Sequence, residues 1–161
     1  MTTKIGDLGE HLVSQWLQSK SYCILHHSWH CRWGEIDIIA EDKTTSTLIF
    51  VEVKTRKSFN WDNDGLEAVS EVKQQKIVRS AALFLAKNAR YVDYFMRFDV
   101  ALVGYQKLSR QQQLESTMNN YVIENNDCQT TLSEPLFSYT KDGYYLTIKQ
   151  YLSDAFEALH I

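Results

Sequence analysis

The sequence is poor in cysteine and has no long apolar run. Its 161 residues include three cysteines, an odd number without a CxxC pair, so neither a disulfide framework nor a four-cysteine zinc site is indicated. The apolar runs, such as residues 81–86, are too short to span a bilayer. The first residues lack the layout of a signal peptide. We therefore expect a soluble, cytoplasmic protein with no membrane partner.

Positive charge is also scarce. The chain has 17 lysines and arginines against 20 acidic residues, a net charge of -3, and so lacks the basic excess typical of a nucleic-acid-binding module. The charge is unevenly distributed, because residues 53–90 contain eight basic and four acidic residues. Such a local surplus can face an anion or form a solvated surface. The basic residues are Lys54, Arg56, Lys57, Lys73, Lys76, Arg79, Lys87 and Arg90.

Length and composition predict one folded domain. A chain of 161 residues can bury a core, and a content of 44% hydrophobic and 12% aromatic residues excludes disorder as the main state. We expect a single domain over residues 1–161. Its parts are a core over 1–104, a flexible polar insertion at about 106–134, and a C-terminal hairpin and short helix at about 135–161.

The spacing of apolar residues predicts an α/β fold. A first helix begins near Ile5, with Gly6 and Gly9 placed to let it approach a sheet closely. The order α-β-β-β-α-β predicts a mixed central sheet flanked by helices. The predicted core strands are residues 22–32, 35–41, 47–55 and 97–104, with a second helix over 66–88. The hairpin strands are 136–139 and 144–149, and the closing helix spans 152–159.

The hairpin of the second and third strands predicts a charged site. If its turn is centred between Thr44 and Thr45, Asp37 lies directly opposite Glu52. Their Cβ atoms would be about 5 Å apart, and the two negative charges would repel each other. A divalent cation with hard oxygen ligands would offset this repulsion. We therefore expect Mg²⁺ or Mn²⁺ bound by Asp37, Glu52 and the backbone carbonyl of Val53.

Side-chain alternation assigns the two faces of this hairpin. One face is wholly apolar and should be core, and the other carries the charges. The apolar face has Ile36, Ile38, Ala40, Ile49, Val51 and Val53, and the opposite face has Glu35, Asp37, Ile39, Glu41, Leu48, Phe50, Glu52 and Lys54.

Lys54 follows Glu52 by two residues on the charged face. A lysine beside a bound metal can orient water or stabilise charge developing on a phosphate. Asp37, Glu52 and Lys54 thus indicate metal-assisted phosphodiester hydrolysis. The alternative is that Lys54 pairs with Glu35 or Glu52 at the solvent edge of the sheet, where ion pairs contribute little.

Three helical residues extend this candidate site. Glu10 lies at the border of the apolar face of the first helix, within reach of the sheet. Lys73 falls inside the apolar arc of the second helix and needs an acidic partner or a ligand there, and Gln74 lies on the other side of that arc. Each position also suits a side chain that extends along the rim toward water.

Two further features have alternative interpretations. A zinc cluster of His26, His27, His30 and Cys31 is disfavoured, because strand alternation points these side chains to opposite faces. Trp61 in the loop after Lys54 could stack on a base or anchor that loop.

Five ordered blocks of the sequence resemble the bacterial YraN-type family. That family is similar to the restriction-endonuclease-like superfamily with the PD-(D/E)xK motif, which includes Holliday-junction resolvases. Two departures are Ile36, where the superfamily signature has proline, and the polar stretch 106–134, which extends a shorter family core. The blocks are Gly6-x-x-Gly9-Glu10, Gly34-Glu35-Ile36-Asp37, Phe50-Val51-Glu52-Val53-Lys54-Thr55-Arg56, Val72-Lys73-x-x-Lys76 and Arg97-Phe98-Asp99-Val100.

The resemblance implies roles for individual residues. Asp37 and Glu52 would be the metal-binding carboxylates, Lys54 the catalytic lysine, and Glu10 the additional acid of the first helix. Lys73 and Gln74 would be auxiliary phosphate contacts. The resemblance also implies a restriction-endonuclease-like core and, by similarity to resolvases, a homodimer.

The leading hypothesis is a Mg²⁺- or Mn²⁺-dependent endonuclease that cleaves DNA, including branched or damaged DNA. Its phosphate contacts would come from Arg56, Lys57, Lys73 and Lys76, so binding would weaken with salt. The alternative is a non-enzymatic nucleic-acid-binding or assembly protein that retains the nuclease fold. The intact set of three acids and one lysine favours the enzyme, whereas the low overall charge favours the alternative.

Overall fold

The computed structural model describes residues 4–57, 69–118 and 137–158. These residues form three α-helices, a short 3-10 turn at Ala89–Tyr91 and six strands. The helices are α1 (Lys4–Ser19), α2 (Glu71–Lys87) and α3 (Arg110–Met118). The strands are β1 (Cys23–Cys31), β2 (Gly34–Asp42), β3 (Thr47–Lys57), β4 (Phe95–Lys107), β5 (Phe137–Lys141) and β6 (Tyr144–Leu152).

The six strands form one mixed sheet in the order β1-β2-β3-β4-β6-β5. Only β3 and β4 pair in parallel, because α2 provides the crossover that a parallel pair requires. The other neighbours are antiparallel. The α/β class and the order α-β-β-β-α-β are as predicted. None of the helices in the described ranges is long and apolar enough to cross a bilayer.

Helices cover both faces of the sheet. Leu12 and Leu17 of α1 pack in one core cluster with Val51 of β3. Ile77 and Phe84 of α2 pack in a second cluster that includes other residues of β2 and β3. Residues 48–51 of β3 are all apolar and buried. A strand that is covered on both faces needs such a continuous apolar sequence.

The β2–β3 hairpin has the predicted centre, and Ile36 is the apolar residue that departs from the predicted faces. Its ladder runs from the pair Asp42–Thr47 to the pair Ile38–Val51, so the turn is centred as expected. Ile36 nevertheless packs in the α2 cluster, whereas Ile38 packs in the α1 cluster. The prediction that these isoleucines share one apolar face is therefore wrong. The change of face coincides with the end of the ladder, where β2 separates from β3.

Helix α2 begins later than predicted. Ser70 has an extended backbone, and its Oγ accepts a hydrogen bond of 3.4 Å from the Lys73 N–H, so it caps a helix that starts at Glu71. Val69 precedes this cap and packs in the α2 cluster. The predicted helical state is therefore wrong at residues 69 and 70, and residues 66–68 lie outside the described ranges.

The polar stretch 106–134 is more regular than predicted in its first part. Strand β4 continues to Lys107, and α3 follows at Arg110–Met118. The Leu108 N–H donates a hydrogen bond of 2.8 Å to the Gly143 carbonyl, so this segment is held against the C-terminal hairpin. A flexible insertion is therefore the wrong description of residues 106–118. The remainder, 119–134, lies outside the described residues.

The C-terminal hairpin is confirmed, but the closing helix is not. Asp142 and Gly143 have φ values of 53° and 79°, as a two-residue type I′ turn requires between β5 and β6. Strand β6 continues to Leu152, and residues 153–158 contain no helix. The Ala155 N–H instead donates to the Phe98 carbonyl at 2.8 Å, so the segment packs beside β4. Leu159 lies outside the described residues.

Candidate functional site

Three buried carboxylates from different elements lie near one another. Glu10 of α1 is 7% exposed, Asp37 of β2 is 8% exposed and Glu52 of β3 is 3% exposed. Acidic side chains are rarely so buried without a partner. Glu52 raises the pKa values of both Glu10 and Asp37, and Glu10 raises that of Asp37. The fold therefore concentrates carboxyl groups at the point where β2 and β3 separate.

Beyond the last backbone pair of the β2–β3 ladder, the Asp37 side chain bonds to β3 instead of the Asp37 backbone. Its Oδ2 accepts a hydrogen bond of 2.7 Å from the Val53 N–H. Burial, and then the negative charge of Glu52, raises the pKa of Asp37 from 3.8 to about 8. The N–H and C=O of one strand residue point to the same neighbouring strand. The Val53 carbonyl therefore lies on the side of β3 that faces Asp37.

Glu52 contacts two lysines. Its Oε1 accepts a hydrogen bond of 2.8 Å from Lys54 Nζ, and its Oε2 lies 3.2 Å from Lys73 Nζ. The second contact is an ion pair without hydrogen-bond geometry, because the buried Oε2 has no hydrogen-bond donor among the described residues. A buried acceptor without a donor costs about 1–3 kcal/mol. Glu52 Oε2 is therefore an oxygen that a bound cation would satisfy.

The two lysines connect this buried site to solvent. Their side chains are about a third exposed, 29% for Lys54 and 32% for Lys73. The prediction that Lys73 needs an acidic partner is confirmed by its contact with Glu52. Lys54 pairs with Glu52, as the alternative interpretation expected, but that carboxylate is buried and does not lie at the solvent edge. Glu35 pairs instead with His30 at 3.2 Å.

Glu10 is held by a residue that the sequence did not single out. The Ser28 hydroxyl donates to Glu10 Oε2 at 3.1 Å. Ser28 has a φ of 44° and follows the irregularity at Ile24/His26 in β1. Burial raises the pKa of Glu10 from 4.5 to about 7, although the Ser28 hydrogen bond opposes this change. Glu10 can therefore exchange a proton near neutral pH.

The donor set fits Mg²⁺ or Mn²⁺. Among the described residues, no group of three or more His, Cys, Asp or Glu side chains could hold a metal. Mg²⁺ does not need such a group, because it commonly takes one or two carboxylates and completes its shell with water and phosphate. The carboxylates of Asp37 and Glu52 supply hard oxygen ligands. Glu52 Oε2 accepts no hydrogen bond from the described residues, so it can bind a cation.

The zinc interpretation is wrong. The ring of His26 lies edge-on to Phe84, and His27 Nδ1 lies 3.3 Å from Ser14 Oγ. Cys31 donates its S–H to Ser80 at 3.2 Å. These side chains therefore contact different partners.

Apart from Lys73, the predicted phosphate contacts lie outside the carboxylate cluster. Arg56, Lys57 and Lys76 are exposed. The Gln74 side chain donates to the Val69 carbonyl at 2.9 Å, which supports the start of α2. Trp61 lies outside the described residues.

A second buried network, which no sequence signal indicated, lies in the N-terminal half of β4. Asp99 is fully buried and accepts hydrogen bonds from Arg97 at 2.8–3.2 Å. It also accepts from the Tyr151 hydroxyl at 2.7 Å and the Asp154 N–H at 2.9 Å. In the sequence, the Arg97–Val100 block carries only the family resemblance. Its contacts show that Asp99 joins β4, β6 and the C-terminal segment.

Comparison with known proteins identifies the family. The sequence profile of the uncharacterised protein family UPF0102 matches residues 9–103. A UPF0102 protein of Trichormus variabilis is 42% identical over 159 residues, which are 96% of this chain and 95% of that protein. One of Synechocystis sp. is 39% identical over 155 residues, 96% and 98% of the two chains. One of Nostoc sp. is 53% identical over 110 residues, 66% and 79%.

The matched region covers the candidate site. The profile contains the carboxylate cluster and both of its lysines. The alignments with the Trichormus and Synechocystis proteins continue far beyond it, so these relatives also extend past the family core. On these matches, the chain belongs to the uncharacterised protein family UPF0102, the YraN family that its motifs resemble.

Proposed function

We propose that this protein is a divalent-metal-dependent endonuclease that hydrolyses phosphodiester bonds in DNA, with branched or damaged DNA as its substrates. One observation carries the proposal: the buried Glu52 carboxylate lies beside two lysines and near two further buried acids. A purely structural sheet gains little from burying three carboxylates, because each loses its hydration. Such arrangements are typical of functional sites.

The buried acids would hold the cation. Asp37 and Glu52 would supply carboxylate oxygens, and the Val53 carbonyl would supply a backbone oxygen. A bound Mg²⁺ or Mn²⁺ would neutralise phosphate charge and acidify water.

The lysines and Glu10 would act on the phosphate and on protons. Lys54 Nζ, held 2.8 Å from Glu52, would orient the attacking water. Lys73 would contact a nonbridging phosphate oxygen and stabilise the charge that develops there. Glu10, with a pKa of about 7, would take up or release a proton near neutral pH. DNA outside the site would be held by the exposed Arg56, Lys57 and Lys76.

A cleavage assay tests this proposal. Purified protein is incubated with branched, flapped and single-stranded DNA in Mn²⁺, and the products are separated by electrophoresis. We expect cleavage by the wild type, and none by Asp37→Asn or by Lys54→Met. Lys149→Met serves as a charge-matched control, because Lys149 is exposed on β6 and is not among the proposed DNA contacts. Equal cleavage by wild type and Asp37→Asn would indicate a contaminating nuclease and contradict the assignment.

A second candidate function is non-enzymatic nucleic-acid binding. It is favoured by the two lysine contacts, which already offset the charge of Glu52 without a cation. In that case DNA binding would be unchanged by a chelator, and no DNA would be cleaved under any metal condition.

A further inference from the structure

Trp33, in the turn between β1 and β2, carries two arginines on its ring. The guanidinium carbon of Arg32 lies 4.9 Å from the ring centre. That of Arg79, from α2, lies 5.1 Å from it. Among the aromatic rings of the described residues, Trp33 is the one with two such cations. The turn and the helix therefore place two positive charges on one side chain.

Neither Arg32 nor Arg79 forms an ion pair within the described parts of the chain. Two cations against one ring repel each other, and an exposed cation–π contact contributes only about 0.5–1 kcal/mol. Both arginines are exposed, and Trp33 is half-buried, so the group is accessible from solvent. The two positive charges and the solvent-accessible ring suit a ligand that has both anionic groups and flat rings.

The group lies near the carboxylate cluster. Trp33 precedes Asp37 by four residues along β2, which corresponds to about 13 Å at the rise of a strand. Arg79 follows Lys73 by six residues along α2, which corresponds to about 9 Å along the helix axis. Stacked nucleotides of one strand repeat about every 3.4 Å. A strand bound at the cluster would therefore reach Trp33 within about three to four nucleotides.

We propose that Arg32, Trp33 and Arg79 form a platform that binds unpaired DNA beside the cleaved bond. When DNA binds, an arginine moves from the ring to a flanking phosphate, and Trp33 stacks on an exposed base with the face that this arginine leaves. Stacking of this kind requires an unpaired base, because the faces of duplex bases are covered by their neighbours. The position beside the cleaved bond rests on the proposed nuclease function. The platform then restricts the substrate class to DNA with a single-stranded segment.

Metal-free binding tests the platform independently of cleavage. Fluorescence anisotropy in EDTA follows a labelled oligothymidine of about 12 nucleotides, within the usual site size for single strands, and a blunt duplex of the same length. We expect Trp33→Ala to weaken single-strand binding at least about fivefold, the lower limit for losing one base stack. Duplex binding should change much less, and Trp33→Phe should retain most of the single-strand affinity.

The salt dependence of single-strand binding tests the two arginines. Arg32→Ala and Arg79→Ala should each make single-strand binding less dependent on salt, because each removes a phosphate contact. Arg110→Ala, which removes an exposed arginine of α3, should leave the salt dependence unchanged. Circular dichroism of every variant checks that the fold is retained.

Several results would overturn the platform. They are no single-strand binding by the wild type, an equal loss of single-strand and duplex affinity in Trp33→Ala, and no loss at all. Tighter binding of oligouridine than of oligothymidine would assign the platform to RNA and contradict the proposal. If binding depends on Trp33 but no DNA is cleaved, the nuclease function fails and the platform stands. If cleavage occurs without dependence on Trp33, the platform fails alone.

Discussion

A Cβ atom on Gly9 would lie 2.1 Å from Thr55 Oγ1, so helix α1 crosses strand β3 in direct contact at this point. The crossing places the next residue of the helix, Glu10, within the carboxylate cluster. Gly9 is therefore required by the close approach of the helix to the sheet, as the sequence predicted.

Gly9→Ala should destabilise the protein by about 1–3 kcal/mol, because the added methyl group overpacks the contact with Thr55. The sign of this change in stability is informative, because replacing glycine by alanine in an ordinary helix interior stabilises a protein by about 0.5–1 kcal/mol. Urea unfolding followed by circular dichroism measures the difference.

Thr55→Ala provides the matched control for this contact. Thr55 Oγ1 is buried and has no hydrogen-bond partner in the described residues, so its removal should change stability little. The double variant should regain part of the stability lost in Gly9→Ala. A Gly9→Ala protein more stable than the wild type would refute the close contact.

Asp99→Asn should lower the free energy of unfolding by about 3–5 kcal/mol, because it leaves the half-buried Arg97 guanidinium without its charged partner. If this variant does not fold, Tyr151→Phe should still fold and lose about 1 kcal/mol, since it removes a single hydrogen bond. Both losses are measured by urea unfolding. Mn²⁺ affinity should stay unchanged in every variant that folds, and a large change would show that this network belongs to the site.

The metal-free protein should become less stable as the pH rises. Glu10 and Asp37 hold protons more tightly when folded, because burial raises their pKa values to about 7 and about 8 from 4.5 and 3.8. The stability that these two protonated carboxyl groups contribute is complete below about pH 4. It is lost as the pH rises toward about 8. We expect the free energy of unfolding to fall by up to about 1.4 kcal/mol per pH unit for each carboxyl group.

Urea unfolding in EDTA between about pH 5 and about pH 8 measures this slope. Asp37→Asn removes one of the two titrating groups, so its stability should depend less on pH and exceed that of the wild type near pH 8. Identical slopes in the two proteins would contradict the assigned pKa shift.

Lys73→Met should bind Mn²⁺ more tightly than the wild type does. Lys73 Nζ lies 3.2 Å from Glu52 Oε2 and competes with a cation for that oxygen. The same variant should bind DNA more weakly, because it lacks a phosphate contact. Calorimetric titration of Lys73→Met and of the exposed control Lys76→Met separates the local effect from the loss of one charge. Equal Mn²⁺ affinities in these two variants would show that Lys73 does not compete.

Much of the fold follows from sequence pattern. The turn at residues 43–46 fixed the pairing of β2 and β3, because local polarity marks a hairpin centre well. The apolar arc of α2 predicted that Lys73 faces the sheet and needs a partner there. Its contact with the buried Glu52 confirms this prediction. Charge and periodicity were sufficient where neighbours in sequence determine the structure.

The errors arose where distant contacts determine the structure. Alternation assigned Ile36 to the face of Ile38, but the separation of β2 from β3 at Asp37 reverses it. The closing helix was predicted from apolar spacing, yet the segment is fixed by backbone hydrogen bonds to Phe98 and to the Asp99 side chain. Ser28 carries no signal in the sequence, because its role depends on reaching Glu10 across the fold.

The central claim is that Asp37 and Glu52 bind a divalent cation, and calorimetric titration of Mn²⁺ into the metal-free protein tests it most directly. Because the titration requires no DNA, it does not depend on the identity of the substrate. We expect saturable binding by the wild type and its loss in Asp37→Asn, with circular dichroism showing that the variant is folded. Saturable binding of equal affinity in the two proteins, or no binding by the wild type up to millimolar Mn²⁺, would contradict the claim.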